Sequence, residues 1–369
     1  MAPQHTETKP EARPAEVDAF STVAIKNALA QEVAHSEFDH PELKSVYPDT
    51  TFPPIPELPY DDRAAYADPT FKNLLEHATV THLAPKVGTE ISGVQLHELT
   101  DAQKDELALL IAQRGVVFFR DQEINVDQQV ELGRYWGPLH VHQNLGHPKD
   151  HPEVLVVENT VESSAALLKK QIYDPTNEWH SDVSCERQPP SYTSFKLLTN
   201  PPVGGDTLWA SGYEAFNRLT PHFQKFLEGL TAIHTSKPQA DGAAARGFTI
   251  RRPPVEFAHP VVRTHPVTKR KALFVNAAFT KRIVELSTAE SVAVTLTAVM
   301  SSWADAVLRF LYKHVSQGHE FQVRFRWTKN AVAIWDNRVT FHYATFDYLP
   351  GNRHAIRVTP HGEIPVYDP

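Results

Sequence analysis

The chain has 369 residues, with 36 Lys and Arg against 44 Asp and Glu, a formal net charge of −8, and 41% hydrophobic residues. That composition suits a globular protein with apolar mass for one large domain or two ordinary ones. Its basic residues form no dense run or stripe, which speaks against a nucleic-acid partner, and no apolar run is long enough to span a membrane.

The only cysteine is Cys185, so no intramolecular disulfide is possible. The N-terminus lacks the basic-then-apolar layout of a secretion signal. Together these lead us to expect a reducing, cytoplasmic location. Residues 1 to about 20, rich in Pro, Glu, Thr and Ala, predict a disordered tail. Pro53, Pro54, Pro56 and Pro59 predict an extended arm over residues 38–70, with short helical turns near Phe71–Leu75. We therefore expect 1–79 to be tail and arm, and 80–369 to be one catalytic domain.

The first strands are expected at 80–83 and 91–94. Thr100 and Gln103 form a capping box ahead of an apolar stripe at Leu107, Leu110 and Ile111, and Gly115 stops that helix. Val116–Phe119 reads as a short buried strand, and Val126–Trp136 as an amphipathic helix ended by Gly137-Pro138. His140 and His142 alternate on one face. His142 is a candidate pocket residue and His140 a structural one. Residues 160–178 carry no strong pattern and lead into the next motif, the place of a lid.

Further strands are expected at 191–198, 207–209, 261–262, 272–275, 331–335 and 354–359. Helices are expected after Ser211, after Thr220-Pro221 with Phe223, Phe226 and Leu227 inward, and from Ser287 to about His314. Residues 236–258, rich in Ala, Gly, Arg and Pro, read as a mobile loop. Phe321–Trp327 alternates four large apolar residues with three polar ones. Nothing repeats at a solenoid period. Many short strands with interposed helices predict a mainly β fold with helical decorations, a jelly roll.

The chemistry centres on Trp179-His180-Ser181-Asp182. In an extended segment His180 and Asp182 share a face and offer an imidazole and a carboxylate to one metal ion. A later His342 would complete two His and one carboxylate, the facial set of non-haem Fe(II) oxygenases. Alone, such a triplet is weak, because a chain with 20 histidines and 44 acids meets it by accident.

Its company strengthens it. Gly204-Gly205-Asp206-Thr207-Leu208-Trp209, His259-Pro260-Val261-Val262-Arg263, Ala272-Leu273-Phe274-Val275-Asn276, Trp335-Asp336-Asn337-Arg338-Val339-Thr340 and Asp347-Tyr348-Leu349-Pro350 follow in order. The chain resembles the taurine dioxygenase family of Fe(II)- and 2-oxoglutarate-dependent oxygenases over roughly residues 80–367. The resemblance implies a double-stranded β-helix, iron ligated by His180, Asp182 and His342, and O2 as oxidant. It implies that Arg353 and Thr207 hold the distal carboxylate of 2-oxoglutarate. It implies that Arg357, His142, Val183 and Phe279 line the substrate pocket.

Arg357 lies four residues beyond Arg353, so a strand returns both guanidinium groups to one face. Two buried cations there each need an anion. One is 2-oxoglutarate. The other is a small anionic substrate or a protein carboxylate. The resemblance implies oxidation of an alkyl sulfonate to sulfite and an aldehyde. Its alternative is hydroxylation, desaturation or ring closure of an amino acid or other carboxylate. Cys185 and Leu145 depart from the family's pocket pattern and leave the substrate open, as the sequence leaves a homo-oligomer open.

Overall fold

The computed structural model describes residues 38–159, 175–286, 303–348 and 351–369. The predicted tail, most of the predicted lid and the start of the helix expected at Ser287 lie outside them. The described residues contain fifteen strands, β1 to β15.

Seven form the large sheet, in the order β1 (Thr79–His82), β2 (Thr89–Ser92), β3 (Val116–Phe119), β13 (Val332–Asp336), β5 (Tyr192–Thr199), β15 (Arg353–Val358) and β4 (Val154–Asn159). Only the β2–β3 pair is parallel. A three-stranded sheet faces it, in the order β12 (Gln322–Phe325), β6 (Thr207–Ser211) and β14 (Thr340–Ala344). The remaining strands are β7 (Thr231–Thr235), β8 (Glu256–Pro260), β9 (Val262–Thr264), β10 (Lys271–Leu273) and β11 (Thr280–Ile283). β7, β8 and β11 make a small sheet, and β9 and β10 a hairpin.

Period-two alternation builds the sandwich. Val116 and Phe118 of β3, Phe195 and Leu197 of β5, and Ala333 and Trp335 of β13 point inward. They meet Trp209 of β6, with Val323 and Phe325 of β12 and the neighbouring Trp327, in one core between the sheets. The intervening residues Val117, Phe119, Val332 and Ile334 point outward and pack under the helix Asp101–Arg114. Val154, Val156, Ile356 and Val358 do the same beneath Val130 of the helix Val126–Trp136. This two-sided burial explains why β3 reads as an unbroken apolar run.

The capping box at Thr100 and Gln103 is present, and Gly115, at φ 76, closes that helix. The region 236–258 is more ordered than its composition suggests: Lys237–Ala244 is a helix and Glu256–Pro260 a strand. Pro238 stands in the first turn of that helix, where its missing N–H costs nothing. Phe226 is exposed rather than inward. The expected long helix is described as Trp303–Gln317. The described arm belongs to the same compact unit as the sheets. It runs extended through the prolines, and turns helical at Arg63–Tyr66 and Lys72–Leu75. No described helix is long and apolar enough to cross a membrane.

Candidate metal and co-substrate site

His180 and His342 face each other across a two-residue antiparallel bridge. Each accepts the other's backbone N–H at its carbonyl, at 3.1 and 2.8 Å. That bridge brings the imidazole ring centres 4.2 Å apart, tilted 50° to each other. On β14, His342 stands opposite the inward Trp209, while Phe341 turns to the outer face. Asp182 Oδ1 lies 3.9 Å from His180 Nε2 and 3.7 Å from His342 Nε2. The ligand atoms of the three residues fall within 4.8 Å of one another, the one such His/Cys/Asp/Glu group among the described residues.

The surroundings prepare these groups as ligands. His180 Nδ1 donates to the Glu178 carbonyl at 2.7 Å, which leaves the Nε2 lone pair facing Asp182. Thr193 donates to Asp182 Oδ2 at 2.9 Å, and Asn337 donates to Thr193 at 2.8 Å. Asn337 in turn accepts the Asp182 backbone N–H at 3.2 Å and the Trp335 indole N–H at 2.9 Å. Thr193 thus holds one carboxylate oxygen, and the other is turned to the histidines and to Arg357. Burial alone would raise the Asp182 carboxyl, but Arg357, His342 and His180 outweigh it and hold it down at about 2. Burial, with His180 beside it, depresses His342 to about 3. An anionic carboxylate and neutral imidazoles are the forms that bind a divalent cation. Three such ligands on one side fit Fe(II) with open positions opposite.

Arg353 and Arg357 share the inner face of β15 with Ala355, while Ile356 and Val358 turn outward. Arg353 is 3% exposed. Its guanidinium lies over the rings of Phe195 and Trp327, at 5.2 and 5.9 Å. Its Nε has no hydrogen-bond partner among the described residues. Burial depresses it to about 10. Thr207 accepts the indole N–H of that same Trp327 at 2.9 Å, which leaves its own O–H to donate. Gly205, at φ 71, brings backbone close to this arginine: a side chain there would meet Arg353 Cδ at 3.4 Å.

Arg357 Nη1 pairs with Asp182 Oδ1. His142 is buried, and its Nδ1 accepts the backbone N–H groups of Asn144 and Leu145 at 3.3 and 3.2 Å. The neutral ring therefore carries its proton at Nε2 and can only donate there. Burial, then His140 and Arg357, push its pKa well below 6.5. Val183 and Phe279 meet in one apolar cluster with Cys185. Val183 sits at φ 33, an unfavourable conformation for a β-branched residue, immediately after the acid ligand. His140 Nε2 donates to the buried Glu186 carboxylate at 3.1 Å.

A β sandwich with two His, one Asp and a buried anion-seeking arginine at its mouth is the constellation of a non-haem iron oxygenase that uses a keto-acid co-substrate. The family described as "Taurine catabolism dioxygenase TauD, TfdA family" matches residues 79–359. An alpha-ketoglutarate-dependent sulfonate dioxygenase of Saccharomyces cerevisiae is 43% identical, over 88% of this chain and 80% of that one. The alpha-ketoglutarate-dependent dioxygenase cnsM of Penicillium expansum is 42% identical, over 83% and 84%. A taurine dioxygenase crystal structure from Burkholderia xenovorans superposes with a TM-score of 0.64 at 30% identity, covering 79% of this chain and 93% of that one. The chain belongs to the TauD/TfdA family and is an Fe(II)- and 2-oxoglutarate-dependent dioxygenase.

Thr193, Trp327 and Glu178 escaped sequence reasoning. Each touches a functional group through the fold alone. Asn337 was visible only as part of the Trp335–Thr340 motif.

Proposed function

We propose that the enzyme oxidises a C–H bond of a small anionic substrate, an alkyl sulfonate, releasing sulfite and an aldehyde. His180, Asp182 and His342 hold the iron in this reading. Arg353 and Thr207 hold the distal carboxylate of 2-oxoglutarate, and Arg357, His142, Val183 and Phe279 hold the substrate. Bound iron with 2-oxoglutarate and O2 supplies the oxidising power, and the co-substrate leaves as succinate and CO2.

The protein's own part is placement. Arg353 is buried with no ion pair among the described residues, so the co-substrate supplies one, and its planar fork suits a carboxylate. The Thr207 hydroxyl adds a neutral donor to the same group. At the other end, Arg357 lies at the edge of the metal ligands, tethered by Asp182, and His142 offers an N–H donor that needs no protonation. Val183 and Phe279 wall the carbon chain and exclude water. The observation that carries the reading is one arginine over Trp327, whose indole N–H bonds Thr207, and a second paired with Asp182 near His142, two candidate anion-binding ends beside one His/Asp/His cluster. The sulfonate is supported by the yeast relative's name. A reducing cytoplasm, supported by the single buried Cys185, suits a ferrous enzyme.

The test is Arg357→Gln. It should leave 2-oxoglutarate binding near parental, weaken the substrate, and form succinate with little substrate oxidised, since small misplacements of a reacting group are expensive. Parental substrate affinity and coupling in this variant would remove Arg357 from the pocket.

A further inference from the structure

The family match begins at residue 79, yet the residues ahead of it reach the substrate end of the site. Phe52 donates its backbone N–H to the Arg251 carbonyl at 2.5 Å, and its ring lies 5.3 Å from the Arg251 guanidinium and 5.8 Å from that of Arg252. Pro53 offers its carbonyl to Arg252 Nε at 3.1 Å. These two arginines then grip the turn that carries His142. Arg251 Nη2 donates to the carbonyls of His142, at 3.2 Å, and Leu145. Arg252 Nη1 donates to the carbonyl of Val141 at 3.2 Å. The Arg251 backbone N–H donates to the Gln143 carbonyl at 3.0 Å. A further bridge joins Val46 of the arm to His147, through two backbone bonds of 2.8 and 3.3 Å.

We propose that the N-terminal arm is a working part of the active site, with Phe52 acting through Arg251 as a positioning pair that fixes the His142 turn and so the substrate's anionic head group. This rests on the reading of His142 as a substrate ligand. The turn sets His142 through Asn144 and Leu145, whose N–H groups point at its Nδ1. The carbonyls of His142 and Leu145 are the ones Arg251 holds. A turn without that grip is free to rotate the ring and misdirect its Nε2–H.

Arg251 is an unusual choice for a merely structural clamp. It is 2% exposed, and its Nε and Nη1 have no hydrogen-bond partner among the described residues. Arg252 at least has Glu186 at 3.9 Å. Burying a cation without a counter-charge is costly, so an apolar residue of similar length would serve stability as well or better. What an apolar residue cannot do is bond two carbonyls of one turn at once.

The experiment compares Phe52→Ala, Arg251→Met and His142→Gln with the parent, using butanesulfonate as the substrate probe. It records KM for probe and for 2-oxoglutarate, the ratio of sulfite to succinate, Mn(II) affinity and the urea midpoint. Phe52→Ala and Arg251→Met should each raise the probe KM roughly tenfold and lower the sulfite ratio, the cost of one charge-assisted contact. The 2-oxoglutarate KM and Mn(II) affinity should stay parental, and Arg251→Met should be at least as stable as the parent. Parental probe KM and coupling in both, with His142→Gln impaired, overturns the arm's role. So does a collapse of all constants together, which marks a general loss of structure. A parental His142→Gln overturns the substrate reading beneath and the proposal with it.

Discussion

Replacing Arg353 with Met separates co-substrate recognition from folding, because its effects on folding nearly cancel while its effect on ligand binding does not. The Arg353 guanidinium forms no ion pair among the described residues, and burial moves it from 12.5 to about 10. At about 1.4 kcal/mol per unit, that is roughly 3 kcal/mol of penalty on the charged form, which Met does not incur. Losing the contacts to Phe195 and Trp327 offsets this by about 0.5–2 kcal/mol each. The ligand-free variant should therefore unfold within about 2 kcal/mol of the parent. With ligand the balance reverses. Leaving a buried carboxylate without its cation costs on the order of 2–5 kcal/mol, or roughly 30- to several-thousand-fold in the 2-oxoglutarate requirement. The assay is urea unfolding with Mn(II), anaerobically, with and without 2-oxoglutarate. Parental protein at 100-fold saturation should gain about 2.7 kcal/mol, and the variant should gain less than about 1 kcal/mol at the same concentration. A variant that gains as much as the parent, or that collapses without ligand, would refute the reasoning.

Three further outcomes follow from the site and its buried imidazoles. His180→Ala, Asp182→Ala and His342→Ala should each abolish turnover with a parental circular-dichroism spectrum; full activity in His342→Ala would take that residue out of the triad. Thr193→Val should weaken Mn(II) binding by about 10- to 100-fold, by freeing Asp182 Oδ2, which equilibrium dialysis can read. Burial depresses His259 and His361 from 6.5 to about 4. The unfolded chain then takes up protons first, so their contribution is complete above pH 6.5 and is lost as pH falls toward 4. Each contributes about 1.4 kcal/mol per pH unit across that window. Urea midpoints should fall accordingly, and His361→Gln should flatten the slope.

How much of this was legible in the sequence depended on the range of the interaction. The spacing of His180 and Asp182, the capping box at Thr100 and the alternation of Val323, Phe325 and Trp327 are local, and the fold reproduces them, whereas Phe321 ends a 3-10 helix and packs in a separate core. The strand carrying His342, Thr340–Ala344, was not read as one, because its pattern lies inside a motif. Val154–Asn159 and Thr231–Thr235 also went unread as strands. Composition misled at 236–258, where a first-turn proline begins a helix instead of a loop. The Thr193–Asp182–Asn337 network escaped notice because Asp182 and Asn337 are 155 residues apart. Arg357 had been left between a substrate anion and a protein carboxylate. In the fold it pairs with Asp182, the proposed acid ligand of the metal, which no spacing rule could supply.

The most direct measurement is the stoichiometry of sulfite to succinate when a panel of alkyl sulfonates, sulfate esters, amino acids and other carboxylates is supplied with Fe(II), 2-oxoglutarate and O2. The account predicts sulfite rising in step with succinate for at least one alkyl sulfonate, and that coupling lost in Arg357→Gln. Succinate that couples only to amino acids or other carboxylates, with no sulfite from any sulfonate, would contradict it.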